Sequence, residues 1–243
     1  MVNWCVSPGG CASIAGAVMA GFAAMGIDLQ FLLAASFMSA PGGLLMAKMI
    51  VPETEEPVDI SEIDVNSGNK PANVIDAASR GAFDGIKLAA IIAANLMAII
   101  SLIALLNGIL GGLGGFVGFP ALSLEVILGY LFMPFALILG VPFSEATTVA
   151  SFLGQKLALN EFVAYSGFAP IKETLSMHSQ VVLTFALAGF SGLSAMAAML
   201  GVLGGMVPKK KSFIAKVAFK GVLAGTLSNM MSAALAGFFI SLG

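Results

Sequence analysis

The sequence predicts an all-α integral membrane protein, a multi-span helical bundle that carries a re-entrant helical hairpin. Three observations lead there. Of the 243 residues, 58% are hydrophobic and only 10% are charged, and the mean hydropathy is +1.00. The apolar residues fall in uncharged runs of about 20, the length an α-helix needs to cross a hydrocarbon core. One stretch, Phe143 to Pro170, instead sets Glu145, Lys156, Asn160 and Glu161 among apolar residues at helical spacing. An ionisable group at membrane depth needs a partner or a function.

Composition also excludes. A net charge of −2 offers nothing to nucleic acid. Cys5 and Cys11 have neither metal-ligand spacing nor a disulfide framework. His178 stands as the sole neutral-pH base, with no His pair, Cys cluster or Gly-x-Ser-x-Gly beside it, so the chain does not read as an enzyme. The 29 glycines and 14 methionines suit close helix packing in lipid.

Residues 1–51 read as two transmembrane helices of a first repeat. The first, 9–27, is rich in small residues, and a loosening near Ser13 to Gly16 would free carbonyls for a cation. The second, 31–47, contains Pro41-Gly42-Gly43, which predicts a kink. Residues 52–87 form a polar cytoplasmic linker, whose second half, 73–87, reads as the polar start of the next helix. The rest, 88–243, holds a transmembrane helix, an interfacial helix, the hairpin (about 143–172) and two final transmembrane helices. The transmembrane helix spans 88–110, and Gly111-Gly-Leu-Gly-Gly115 and Pro120 are expected to break it. Residues 126–144 contain Pro134 and Pro142 and read as a slanted or interfacial helix. The last two runs are 179–207 and 221–242.

Basic residues orient these elements. Lys209, Lys210, Lys211, Lys216 and Lys220 mark one cytoplasmic loop, and Lys48, Lys70, Arg80 and Lys87 mark another. Both loops lie inside only if an even number of crossings separates them. Runs 88–110 and 179–207 supply that number, so the charged stretch enters from outside, turns near Asn160-Glu161 and returns. The pairs 9–27/31–47 and 179–207/221–242 then run in opposite senses, as inverted repeats do, with a site at the midplane between them.

Asn160-Glu-Phe-Val-Ala-Tyr165 and the stretch from Gly140-Val-Pro onward resemble the second hairpin of the concentrative nucleoside transporter family. Gly9-Gly-Cys-Ala-Ser-Ile-Ala-Gly16, Ala40-Pro-Gly-Gly43, Val51-Pro-Glu-Thr-Glu55, Lys70-Pro-Ala-Asn-Val-Ile-Asp76 and Gly225-Thr-Leu-Ser-Asn229 are also similar to it. The resemblance implies part of an inverted-repeat transporter fold and a cation-coupled (sodium or proton) secondary transporter importing nucleosides. It implies a multi-pass protein in the cell's inner (plasma) membrane, in contact with lipid, and a homotrimer when full length, with no cofactor beyond the coupling ion. Glu161 would accept from ribose hydroxyls with Asn160 beside it, Val18 would line the base pocket and Phe190 would sit near the sugar. Ser13 and Ile14 would give oxygens to sodium. The family's Gly-Phe-Ala-Asn-x-Ser-Ser is Gly189-Phe-Ser-Gly192-Leu-Ser-Ala195 here. Ser191 and Ser194 therefore stand in as candidate sugar ligands, and an Asn at Gly192 is expected to sharpen riboside preference. The family's first hairpin would lie upstream of Gly9, so the chain reads as a C-terminal fragment lacking the N-terminal helices and that hairpin. The alternative is a non-transporting truncated membrane protein that packs with another chain.

The charge pattern gives a topology prediction. In a chain without Cys5 and Cys11, single cysteines at Glu53–Glu62 and Lys209–Lys211 are expected to resist an impermeant thiol reagent in intact cells and to react in inverted vesicles. Labelling of either loop from outside would overturn the re-entrant arrangement.

Overall fold

A computed structural model describes residues 11–52, 72–116, 118–119, 121–192, 194–196 and 211–242. The helices are α1 (Gly16–Ala24), α2 (Leu29–Ile50), α3 (Val74–Phe116), α4 (Leu124–Ile138), α5 (Phe143–Ala158), α6 (Glu161–Phe168), α7 (Met177–Leu187) and α8 (Lys211–Leu242). A 3-10 turn, Ala169–Thr174, follows α6, and no strand occurs among the described residues. Most of the linker's acidic half, Lys70, Lys209 and Lys210 lie outside the described residues.

Among the described residues two helices are long and apolar enough to cross a membrane, Leu29–Ile50 and the Lys216–Leu242 part of α8. They pack on one another, and α7 packs on α8. Phe22, Leu32, Val149, Tyr165, Phe168, Val182, Leu183 and Leu187 fill the core between α1, α2 and the α5–α7 segment. The outer faces of α2 and α8 stay apolar, with Phe37 80% and Phe239 67% exposed. Outward apolar residues are what a lipid solvent requires.

The helix α3 begins at Val74, where residues 73–87 read as its polar start. It does not stop at Gly111 as expected but runs to Phe116. A mid-helix glycine costs only about 1 kcal/mol, so the stop waits for a true reversal. That comes at Gly118, whose φ is 78°, and Phe119 N–H donates to the Gly114 carbonyl at 2.7 Å. A side chain at Gly114 would collide with the Phe119 carbonyl. Asn107 then ties α3 to the start of α4. Its Nδ2 donates to both Glu125 carboxylate oxygens at 3.2 and 3.0 Å, and its Oδ1 accepts from Leu124 N–H at 2.8 Å.

The chain bends by 115° between α4 and α5, at Gly140 with φ 84° and Pro142. The two helices lie closely face to face. At their contact, a Cβ added to Gly154 would stand 2.6 Å from Leu128 Cβ and 3.0 Å from Phe132.

Two apolar runs depart from regular helix. In the first, residues 13–15 are non-helical, inside the window where small residues predicted loosening. In the second the structure corrects the sequence reading. The run 179–207 does not form one helix, because α7 ends at Leu187 and residues 188–192 are irregular. The physical reason is a set of side chains from α5 and α8 that bond the freed backbone, described below.

Filling the α4–α5 contact should be costly. Gly154→Val is expected to lower the thermal unfolding midpoint by roughly 3–10 °C through overpacking. A midpoint unchanged from the parent would show that α4 and α5 are not held at this distance.

Candidate functional site

The hairpin tip is built by a capping side chain. After α5 the backbone turns at Leu159 (φ −119°, ψ −94°) and extends at Asn160 (φ −164°, ψ 168°). Asn160 Oδ1 accepts from Val163 N–H at 2.8 Å, the N-cap bond that starts α6. Glu161 follows as the first residue of α6, at the positive end of its dipole. It is 3% exposed, and its Oε2 has no hydrogen-bond partner. One turn on, Tyr165 fixes the helix. Its hydroxyl donates to the Thr184 carbonyl at 2.7 Å, and its ring lies 4.3 Å from that of Phe22.

Behind the tip, Lys156 is buried and its Nζ donates to the Ala186 carbonyl at 2.6 Å. Asn229 of α8 meets it. The surrounding donors and acceptors fix the orientation of the Asn229 amide. Its oxygen accepts from Lys156 Nζ at 2.8 Å, and its nitrogen donates to the Ala12 carbonyl at 2.9 Å and the Ala188 carbonyl at 3.2 Å. Ser191 Oγ lies 3.4 Å from the same amide, and Thr226 Oγ1 donates to the Ser191 carbonyl at 3.1 Å. One buried cluster thus joins both breaks, the α5 end and α8.

Glycines make that meeting possible. A Cβ on Gly189 would collide with the Asn229 amide, and a Cβ on Gly192 would collide with the Lys156 carbonyl. An Asn at 192 therefore has no room. This close approach runs against the expectation that Gly192→Asn sharpens sugar preference, since the added side chain would have to displace the hairpin backbone.

Of the residues singled out from the sequence, Ser13 and Ile14 lie in the first break, Ser13 half-buried and Ile14 buried. Val18 and Phe190 are both half-buried and pack against the main core. Ser191 is fully buried within the polar cluster, and Ser194 is half-buried just beyond it. Asn160 stands at the site, but its oxygen serves its own helix. Sequence reasoning gave no role to Lys156, Thr226 or Asn229. The available signal was a Lys, a Thr and an Asn in otherwise apolar runs. Among the described residues no group of three or more His, Cys, Asp or Glu is placed to hold a metal. Chemically, the tip presents a buried carboxylate oxygen free to accept from a hydroxyl or N–H group.

Comparison with known proteins finds relatives and solved structures of the same fold. Residues 31–237 match the family described as Na+ dependent nucleoside transporter C-terminus. The chain is 48% identical over 232 residues to the uncharacterized transporter YutK of Bacillus subtilis, covering 95% of this chain and 57% of that one. It is 48% identical over 238 residues to the nucleoside permease NupC of Helicobacter pylori, covering 96% and 56%. Its fold matches a doubly substituted CNTnw solved in an outward-facing state, with a TM-score of 0.92 at 47% identity, covering 99% and 58%. The chain spans somewhat over half the length of the relatives it matches.

The polar cluster makes a stability prediction. Asn229→Leu leaves two carbonyls and the Lys156 ammonium short of a partner, and should cost about 3 kcal/mol or more. Ser228→Ala, one residue away, removes a buried hydroxyl that has no partner and should be near neutral. Thermal unfolding of both variants checks this, and equal midpoints would refute it.

Proposed function

The chain belongs to the Na+ dependent nucleoside transporter family, and on that premise we propose that it forms the C-terminal part of a cation-coupled importer of nucleosides. The observation that carries the reading is Glu161, a buried carboxylate at a helix N-terminus with one oxygen left without a donor. A carboxylate accepts from two neighbouring hydroxyls at once, which suits the vicinal diol of a ribose. Asn160 serves by capping the turn on which Glu161 stands. Val18 lines the base side, Phe190 the sugar side, and Ser191 and Ser194 supply the remaining hydroxyls. Sodium is the coupling ion, in keeping with the family's description, and Ser13 and Ile14 contribute to its site at the first break.

The hairpin re-enters from the outer face of an inner (plasma) membrane. Lys172, at its far end, donates to the Gly26 carbonyl at 2.7 Å and to Asp28 at 3.3 Å. This places its exit beside the α1–α2 turn, which carries neither Lys nor Arg, as an outer loop should. The assembled protein is a homotrimer in lipid. The Asn107 clamp between α3 and α4 holds the interfacial helix against a crossing one.

Uptake of labelled uridine is the test, with the chain co-expressed beside the N-terminal part of the Helicobacter relative. Glu161→Gln keeps the shape and removes the charge. It should lower apparent affinity about ten- to a hundred-fold, the worth of one charge-assisted hydrogen bond, with unchanged protein in the membrane. Uptake within a factor of about two of the parent, too small for such a bond, would show that Glu161 does not touch substrate. Accumulation that ignores sodium would overturn the coupling assignment.

A further inference from the structure

Lys156 is a buried ammonium that touches no carboxylate; Glu161, across the turn, acts on it only through space. Among the described residues the ion pairs join Arg80 to Asp76 and Lys172 to Asp28 and Glu173, and no acid lies within ion-pair distance of Lys156. Charged side chains at membrane depth pair with one another or with backbone carbonyls. Here the partners are neutral oxygens, the Ala186 carbonyl at 2.6 Å and the Asn229 amide oxygen at 2.8 Å.

Both oxygens are polarised toward the ammonium. Ala186 lies in the last turn of α7, where unpaired carbonyls concentrate the negative end of the helix dipole. The Asn229 nitrogen is taken by the Ala12 and Ala188 carbonyls, which turns the amide oxygen to Lys156. Carbonyls at the C-terminal end of a half-helix, joined by a side-chain amide oxygen, are the ligands that broken membrane helices offer to a monovalent cation. Hard cations are held by oxygens of this kind.

We propose that Lys156 is a tethered cation: its ammonium fills the oxygen cage at the break of α7 that a free monovalent cation would otherwise take, and it locks that break to α5 and α8. The four-carbon stem delivers the charge from the hairpin, so no ion has to be captured from solution. The cage closes only while the hairpin is in place, because the charge and the hairpin are one covalent piece. The assignment stands on these contacts alone. Read with the proposed function, it leaves the first break, at residues 13–15, as the place for a coupling ion; that clause rests on the transport reading, and the experiment below does not.

Emptying the cage tests the assignment by thermal unfolding of the full chain in detergent. Lys156→Ala removes stem and charge together and should lower the midpoint by about 5–10 °C, the scale of a lost charged hydrogen bond in a chain of this size. Propylammonium chloride at about 100 mM should restore at least half of that loss by mass action, while choline chloride, whose quaternary nitrogen has no N–H to donate, should restore none. Lys156→Met fills the cage with an uncharged stem of similar length. It should lose stability and gain nothing from propylammonium. The parent should respond to neither salt. The assignment is overturned if Lys156→Met unfolds with the parent, or if propylammonium does no better than choline for Lys156→Ala. Failure of that variant to yield folded protein in propylammonium counts as no recovery.

Discussion

A break in a membrane helix is permitted only where something inside the protein bonds the backbone that the break releases. No water is at hand, and each unsatisfied group costs several kcal/mol. Here the two breaks are placed against each other, and one residue bonds both. Asn229 donates to Ala12 on one side and Ala188 on the other, while Thr226, one turn earlier on α8, bonds Ser191. Without α8 beside them, neither α1 nor α7 has reason to stay unwound. Irregular backbone at the site is therefore a property of the α8 face, and only indirectly of the segments that carry it.

That arrangement demands short distances. Backbones must approach until a Cβ becomes an obstacle, which is why Gly189 meets Ala12 and Asn229, Gly192 meets Lys156, and Gly225 meets Cys11. Small residues are the general means of close approach between helices in lipid, where no hydrophobic effect drives association. In this chain they do a second job, bringing carbonyls within reach of side-chain donors. The same glycines exclude side chains from position 192. Backbone carbonyls of Lys156, Leu157 and Leu159 fill that space, and Glu161 stands at the tip as a buried carboxylate with one oxygen unpartnered.

Much of this architecture was legible in the sequence, and the limits have physical causes. The spans α2 and α8 follow from hydropathy, because burial in lipid demands one long apolar run. The loosening at residues 13–15 was legible because Gly, Ala and Ser cluster there. The hairpin tip was legible because Asn160-Glu161 pairs a capping side chain with a charge inside an apolar stretch. The break at 188–192 was not. Gly189 and Gly192 sit in an uncharged run, and a run of that kind reads as one packed helix. What breaks it is supplied by Lys156 and Asn229, far apart in sequence, and a pairing between distant residues leaves no local pattern. The end of α3 was misjudged for the opposite reason. A strong local signal, the Gly111–Gly115 cluster, is outweighed by the hydrogen bonds of a helix that has packing partners, and the stop falls at the one nearby glycine with a positive φ.

The connections also divide the molecule mechanically. The hairpin is fastened at its base, where Glu145 accepts from the N–H and hydroxyl of Ser176 at 3.1 and 2.9 Å. It is fastened again along its length by Tyr165 to Thr184 and by Lys156 to Ala186. Lys172 ties its exit to Gly26. Hairpin, α7, α8 and the first break are thus cross-linked at several separated points, and a rotation that spared one bond would shear another. The long helix α3 is different, since among the described elements it packs chiefly on α4 and its polar tie to α4 is the Asn107 clamp. Among the described residues, displacement of α3 against the rest works against one hydrogen-bonded joint. Displacement within the hairpin cluster has to break buried charged hydrogen bonds. Among the described contacts, the weaker of the two resistances lies outside the hairpin cluster.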